Sequence, residues 1–271
     1  MKVSVITPSL NQGRFIERTL RSVAGQSGAE IEHLVFDGGS VDDTVAILER
    51  FAPAVRWVSA KDDGQADAVN RGLQASDGEI IGWLNSDDIY YPGAVARVVS
   101  FLEANPDVDV VYGMADHIDV DDRAFEAYLT EPWSLARLRS ACFICQPAAF
   151  FRRRVIERHG ALDASLHYCM DYEYWLRLAK GGARFAYLQE KLAGSRLYPE
   201  TKTLATRLPV HAEINDMLKR TLGRVPLTWL VNYAYASVDD AAPNRSRASR
   251  RLRALAASVG AAWRWNGPFA S

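Results

Sequence analysis

The chain has 271 residues, 48% of them from the AVILMFWYC set and 24% charged, a balance that builds a buried core and excludes collagen-like, disordered and small disulfide-stapled classes. The formal net charge of −1 gives no basis for coating nucleic acid. Its distribution is uneven: from Asn244 onward there are six arginines (Arg245, Arg247, Arg250, Arg251, Arg253, Arg264) and no acid, which leaves −7 on residues 1–243.

Short β-branched runs alternate with amphipathic segments through the first ~110 residues, the pattern of parallel strands joined by crossover helices. Residues 2–7 read as a strand, and Phe15, Ile16, Leu20 and Val23 recur at helical spacing after Asn11-Gln12-Gly13. Strands are expected at 31–36, 55–59, 79–84 and 107–112, with helices at 42–51 and 65–75 and another opened by Pro92. Next come a hairpin (113–120 with 124–129), a short helix near Leu135, a strand-like run at 146–151, a helix at 172–179, and strand-like runs at 184–188 and 192–197. From Thr206 the chain reads as three helical pieces, broken at Gly223-Arg224-Val225-Pro226 and Ala242-Pro243-Asn244.

Doubly wound sheets bind ligands at the carboxyl ends of their strands. Three acidic clusters fall there: Asp37-Gly38-Gly39-Ser40, Lys61-Asp62-Asp63-Gly64-Gln65 and Asn85-Ser86-Asp87-Asp88. Clustered carboxylates repel unless a cation or a ligand's donors compensate, and Mg²⁺ or Mn²⁺ needs only one or two protein carboxylates beside phosphate oxygens. The alternative for Asp87 and Asp88 is that they cap the following turn.

Four motifs occur in order: residues 3–11 with Thr7-Pro8-Ser9, residues 37–44 with Asp37-Gly38-Gly39-Ser40, residues 62–72 with Asp62, Gly64, Asn70 and Gly72, and residues 82–88 ending Asn85-Ser86-Asp87-Asp88. Together they resemble family 2 glycosyltransferases over residues 1–203. The resemblance implies an α/β GT-A fold, a Rossmann-like nucleotide-binding mixed sheet flanked by helices, here with a helical C-terminal extension. It also implies inverting transfer of a sugar from a nucleotide diphosphate (UDP, dTDP or GDP) to a carbohydrate or lipid-linked acceptor, assisted by Mn²⁺ or Mg²⁺. The expected organisation is a nucleotide-sugar-binding half (1–112), an acceptor-binding and catalytic half (113–205) and the extension (206–271).

Carried over by position, Asp87 holds the metal with Asp88 beside it. Thr7, Ser9, Asp37, Asp62, Gln65, Asn70, Asn85, Ser86, Arg196 and Lys202 bind the nucleotide sugar. Asn85 and Gly38 stand where the family has acids. Asp171, in Cys169-Met170-Asp171-Tyr172, falls on the catalytic base position, with Met170 in place of a glutamate, and a helix N-cap is its structural alternative. Gln146, Tyr172 and Trp175 are expected on the acceptor side, although a tryptophan followed by Leu176 and Leu178 also reads as core. The replaced acids leave a non-catalytic nucleotide-sugar-binding or scaffold subunit as the alternative.

Other chemistries lack their marks. Cys142 and Cys145 have no second pair for zinc, there is no G-x-S-x-G elbow, and no G-x-G-x-x-G follows the first strand. Three cysteines fit a reducing compartment, so a cytoplasmic location is expected. Residues 1–8 are too short an apolar run for a signal peptide, and no stretch approaches the roughly 18 apolar residues of a membrane span. Residues 246–265 can form a helix with Leu252, Leu255, Ala256, Val259 and Trp263 on one side; it either contacts the inner membrane face or docks on the acidic body.

Overall fold

The computed structural model describes residues 1–241 and 247–267. The expected break at Ala242-Pro243-Asn244, Arg245 and the first residue of the predicted tail helix lie outside them. Two compact units form. The first comprises Met1–Trp133, Phe143–His167 and Leu178–Leu197; the second comprises Ser134–Cys142, Tyr168–Arg177 and the chain from Tyr198.

The first unit is built on a mixed sheet. Its strands are β1 (Lys2–Ser9), β2 (Glu30–Asp37), β3 (Arg56–Ser59), β4 (Ile80–Trp83), β5 (Ile89–Tyr90), β6 (Val110–Ile118), β7 (Ala124–Ala127), β8 (Ala149–Arg152) and β9 (Phe185–Arg196). They are ordered β3-β2-β1-β4-β8-β6-β9-β5, with β7 on β6. The first four in that order are parallel, β8 is antiparallel to both its neighbours, and β9 runs parallel to β6. Helices α1 (Ile16–Ala24), α2 (Thr44–Phe51), α3 (Gln65–Ala75), α4 (Ala94–Ala104) and α6 (Arg154–His159) belong to this unit.

Alternation along β1 sends successive side chains to opposite faces. Val3 and Val5 join Ile80, Val111 and Phe150 under Val95, Val98, Val99 and Leu102 of α4. Ile6 points to the other face, where a Cβ on Gly72 of α3 would run into its side chain, so only glycine lets that helix lie so close. Helices therefore cover both faces, as the α/β reading requires.

Three element predictions need correction. Residues 107–120 form no strand followed by a hairpin arm, but one strand, β6, continuous through Gly113. The runs at 184–188 and 192–197 likewise make one strand, β9, because register shifts against β6 around Met114 absorb the residues between. The run at 146–151 opens with a 3-10 turn, Gln146–Ala148, which suits Pro147 near its start, and only then becomes β8.

The second unit holds α5 (Leu135–Leu138), the first turns of α7 (Met170–Lys180), α8 (Lys202–Ala205), α9 (Arg207–Leu222), α10 (Leu227–Ala241) and α11 (Arg247–Asn266). No described helix is long and apolar enough to cross a membrane.

Candidate functional site

Register brings the loops of the first unit to one rim. Ser9 pairs with Asp37, and Asp37 with Ser59. Leu84 donates to the Ile6 carbonyl at 3.0 Å, so the chain leaves β4 beside them. The loops after β1, β2, β3 and β4 thus emerge together at the carboxyl ends of four parallel strands, where such sheets bind ligands. The first two are laced to each other: Asn11 N–H donates to Ser40 Oγ (2.7 Å), Val41 N–H to Asn11 Oδ1 (2.9 Å) and Gln12 N–H to Thr44 Oγ1 (2.9 Å).

Asp37 is buried and holds its own loop. Its carboxylate accepts from Gly39 N–H (3.1 Å), Ser40 N–H (2.8 Å), Ser40 Oγ (2.5 Å) and Ser59 Oγ (2.6 Å). Three of these donors fall on Oδ2 and one on Oδ1, so Asp37 orders its loop and Oδ1 keeps accepting capacity for the nucleotide contact expected of it. Gly38 has a direct reason to lack the family's acid: a Cβ there would lie 2.9 Å from Asp62 Oδ2 and 3.1 Å from Oδ1. The Asp62 carboxylate fills that space, with Oδ1 accepting from Gly64 N–H at 3.0 Å. Ser9 lies next to Gly38, its carbonyl accepting from Gly38 N–H at 2.8 Å. The Ser9 hydroxyl is buried and has no hydrogen-bond partner among the described residues.

Asn85 is the hub of the loop after β4. Its Oδ1 accepts from Gln65 Nε2 (2.8 Å) and Trp83 Nε1 (2.9 Å), and its Nδ2 donates to Gln146 Oε1 (2.9 Å) and Asp88 Oδ2 (3.3 Å). An amide can make all four bonds and a carboxylate cannot, since it has no N–H to give. Gln146 is buried and also donates to the Trp83 carbonyl at 2.5 Å. The acceptor-side expectation for Gln146 is therefore corrected to support of Asn85.

The adjacent acids separate. Asp88 is buried, and its Oδ1 accepts from Arg196 N–H at 2.7 Å. Burial, and then the neighbouring Asp87 charge, push its carboxyl well above the usual carboxylate range. Asp87 is only half-buried. Thr19 of α1, which no sequence motif singles out, fixes the turn by sharing its hydroxyl between the Ser86 (2.9 Å) and Asp88 (2.7 Å) carbonyls. Among the described residues no three His, Cys, Asp or Glu side chains are grouped to hold a metal. One carboxylate and a nucleotide's phosphate oxygens satisfy Mg²⁺ or Mn²⁺, so Asp87 fits that role; Asp88, turned inward onto Arg196, is removed from the ligand set.

Arg196 is a buried brace. Its Nε donates to the Asp87 carbonyl (2.7 Å), Nη1 to the Asp119 carbonyl (2.5 Å) and Nη2 to Asp122 Oδ1 (2.5 Å), and the guanidinium lies 4.7 Å from the Phe15 ring centroid. With its side chain wholly buried, the expected nucleotide-sugar contact of Arg196 is replaced by support of the Asp87 loop. Two further expectations are corrected. Thr7 is buried with its hydroxyl 2.9 Å from His33 Nε2, and burial pushes that imidazole down to about 3, so it is neutral. Asn70 clamps Leu162, donating to its carbonyl and accepting from its N–H, each at 2.9 Å.

In the second unit, Asp171 stands in the first turn of α7, its Oδ1 accepting from Tyr172 N–H at 2.8 Å. It is no N-cap, because α7 already begins at Met170; just before the helix, Glu213 of α9 accepts from the Tyr168 and Cys169 N–H groups at 2.7 and 2.9 Å. Burial pushes the Asp171 carboxyl up to about 6. Glu173, the other acid of this turn, pairs with Arg177 at 2.8 Å. Tyr172 and Trp175 are buried, and the Tyr172 hydroxyl donates to the Leu138 carbonyl (2.6 Å) and accepts from Trp229 Nε1 (3.2 Å). Neither ring offers a face to a sugar, and both are core. Lys202 is exposed at the start of α8.

Comparison with known proteins agrees with this architecture. Residues 4–160 match the sequence profile described as Glycosyl transferase family 2. An uncharacterised glycosyltransferase of Mycobacterium tuberculosis is 34% identical over 182 residues, 65% of this chain and 68% of its own length. Staphylococcus aureus TarS 1–349, solved with UDP-GlcNAc, is similar in fold with a TM-score of 0.65 at 18% identity, over 98% of this chain and 75% of that one. The mannosyltransferase PcManGT of Pyrobaculum calidifontis, solved with GDP-Man and Mn²⁺, gives 0.64 at 19% identity, over 95% and 80%. With the profile spanning more than half of the chain, and a mixed sheet whose acidic loops share one rim, the protein belongs to glycosyl transferase family 2.

Proposed function

We propose that this chain is a metal-dependent, inverting hexosyltransferase that moves a sugar from a nucleotide diphosphate to an acceptor hydroxyl in bacterial polysaccharide or glycolipid synthesis, at the cytoplasmic face of the membrane. The observation that carries the reading is the rim itself: the carboxyl ends of the parallel strands β1 to β4 carry Ser9, Asp37, Asp62, Ser86 and Asp87, and Asn85 and Asp88 hold the last of these segments in place. The Ser9 hydroxyl, unpartnered among the described residues, and the Asp62 carboxylate, each next to Gly38, suit a nucleoside's donors and acceptors. The complexes of TarS with UDP-GlcNAc and of PcManGT with GDP-Man and Mn²⁺ support a nucleotide-sugar donor and a divalent metal.

Asp87 would hold Mn²⁺ or Mg²⁺, which when bound neutralises the leaving diphosphate. Asp62 and Ser9 read the nucleoside, Ser86 stands beside the ribose, and Lys202 offsets diphosphate charge. Asp171 takes the proton of the attacking hydroxyl. A carboxyl raised toward 6 is a stronger base than an ordinary aspartate and is still mostly ionised at neutral pH.

The test is a panel of UDP-, dTDP- and GDP-sugars, each followed by thermal shift and by turnover with and without Mn²⁺. One donor should raise the melting temperature more with metal than without, and Asp87→Ala should abolish that difference. A metal titration unchanged in Asp87→Ala removes Asp87 as the ligand. Clean donor binding with no turnover of any sugar selects the scaffold reading.

A further inference from the structure

Within the second unit, α11 is docked by one face only. Ala254, Ala261 and Trp265 are 2–3% exposed. Trp265 Nε1 donates to Asp216 Oδ1 at 2.7 Å and its ring meets Tyr233 edge-on at 4.7 Å. Arg250 forks onto Asp239 of α10 at 2.6 and 2.5 Å, and Asn266 makes two 2.8 Å bonds with the Val225 backbone. The orientation of the helix on α9 and α10 is thus fixed by both packing and polar contacts.

The opposite face carries large apolar side chains. Leu252, Leu255, Val259 and Trp263 are 66–72% exposed. Their spacing of three, four and four residues lines them on one side over about 17 Å of helix. Arg251 and Arg253, both exposed, flank Leu252 in sequence and so project about 100° to either side of the ridge. Arg264 is exposed near its far end, and α11 contains no acid. An apolar ridge bordered by arginines, on the side away from the docked seam, is not what core packing leaves behind.

We propose that this ridge is a membrane-docking surface that lies in the headgroup region of an anionic bilayer. The ridge would enter the acyl boundary while the arginines on its borders meet lipid phosphates. Charge selects this occupant over a second copy seated ridge to ridge, since two copies would bring their arginine borders together. The inference concerns α11 alone and stands apart from the transferase reading, because its test uses neither donor nor acceptor.

The full chain is sedimented with vesicles of phosphatidylcholine, and of phosphatidylcholine mixed with phosphatidylglycerol. Binding is expected to the mixed vesicles. Leu255→Asp with Val259→Asp should abolish it, and Arg251→Ala with Arg253→Ala should weaken it about tenfold or more. Both pairs are exposed, so circular dichroism should stay unchanged. Tryptophan quenching by brominated lipid should disappear in Trp263→Phe, because Trp265 is buried. Equal binding to both vesicle types, full binding by the Leu255→Asp/Val259→Asp variant, or a ridge-dependent dimer in sedimentation velocity without vesicles would each overturn the proposal.

Discussion

Replacing Asp171 by asparagine separates a catalytic carboxylate from a structural one. Burial raises this carboxyl from 3.8 to about 6, so the folded chain holds the proton more tightly than the unfolded chain does. Below the unfolded value both states are protonated and there is no penalty. The penalty grows between about pH 4 and 6, and above the folded value it is fully present at up to about 3 kcal/mol. Half-burial lets water relieve part of it, leaving about 1–2 kcal/mol. Asparagine keeps the size of the side chain and an acceptor for Tyr172 N–H. The variant should therefore melt about 2–5 °C higher than the parent at about pH 8 and at the same temperature at about pH 4. Transfer should fall by about 10²–10⁴-fold with donor binding retained, and the parent's kcat/KM should rise with pH around 6. A melting difference that is the same at both pH values refutes the burial argument. Undiminished transfer refutes the assignment of the base.

Two substitutions test the loops. Asn85→Asp removes the donor to Gln146 and Asp88 and adds a charge beside Asp87 and Asp88, so urea denaturation should show a loss of about 2–4 kcal/mol; a neutral result would mean that Gln146 reorients to donate. Gly38→Asp forces a side chain into the space of the Asp62 carboxylate. Calorimetry should then report donor affinity at least about tenfold weaker with little loss of stability, and unchanged affinity would exclude Asp62 from the nucleoside site.

Much of the fold was legible because it rests on local periodicity. Alternating runs and helical spacing placed β1 to β4 and α1 to α3 within a few residues. The same reading divided β6 and β9, since it could not see the partner strand whose register shift absorbs their irregular middles. The acidic loops were also legible, from their position after strands.

Which of their side chains face a ligand was a different question, answered by residues far away in the chain. Asp87 and Asp88 are neighbours of the same type; the N–H of Arg196, more than a hundred residues later, turns one of them inward. Asn70 and Gln146 have the chemistry of ligand contacts, yet their hydrogen bonds go to Leu162, Trp83 and Asn85, distant in the chain. Tyr172 and Trp175 became core because α7 buries that face.

By itself the sequence determined the family, the alternation of β1 to β4 with α1 to α3, the rim with its acidic loops and the amphipathic basic tail. Tertiary structure decided how each polar group is satisfied, because a buried donor or acceptor must find its partner wherever the fold brings one. It also decided which side of α11 packs. Small residues and one tryptophan form the close helix seam, and the larger Leu252, Leu255, Val259 and Trp263 are left facing outward.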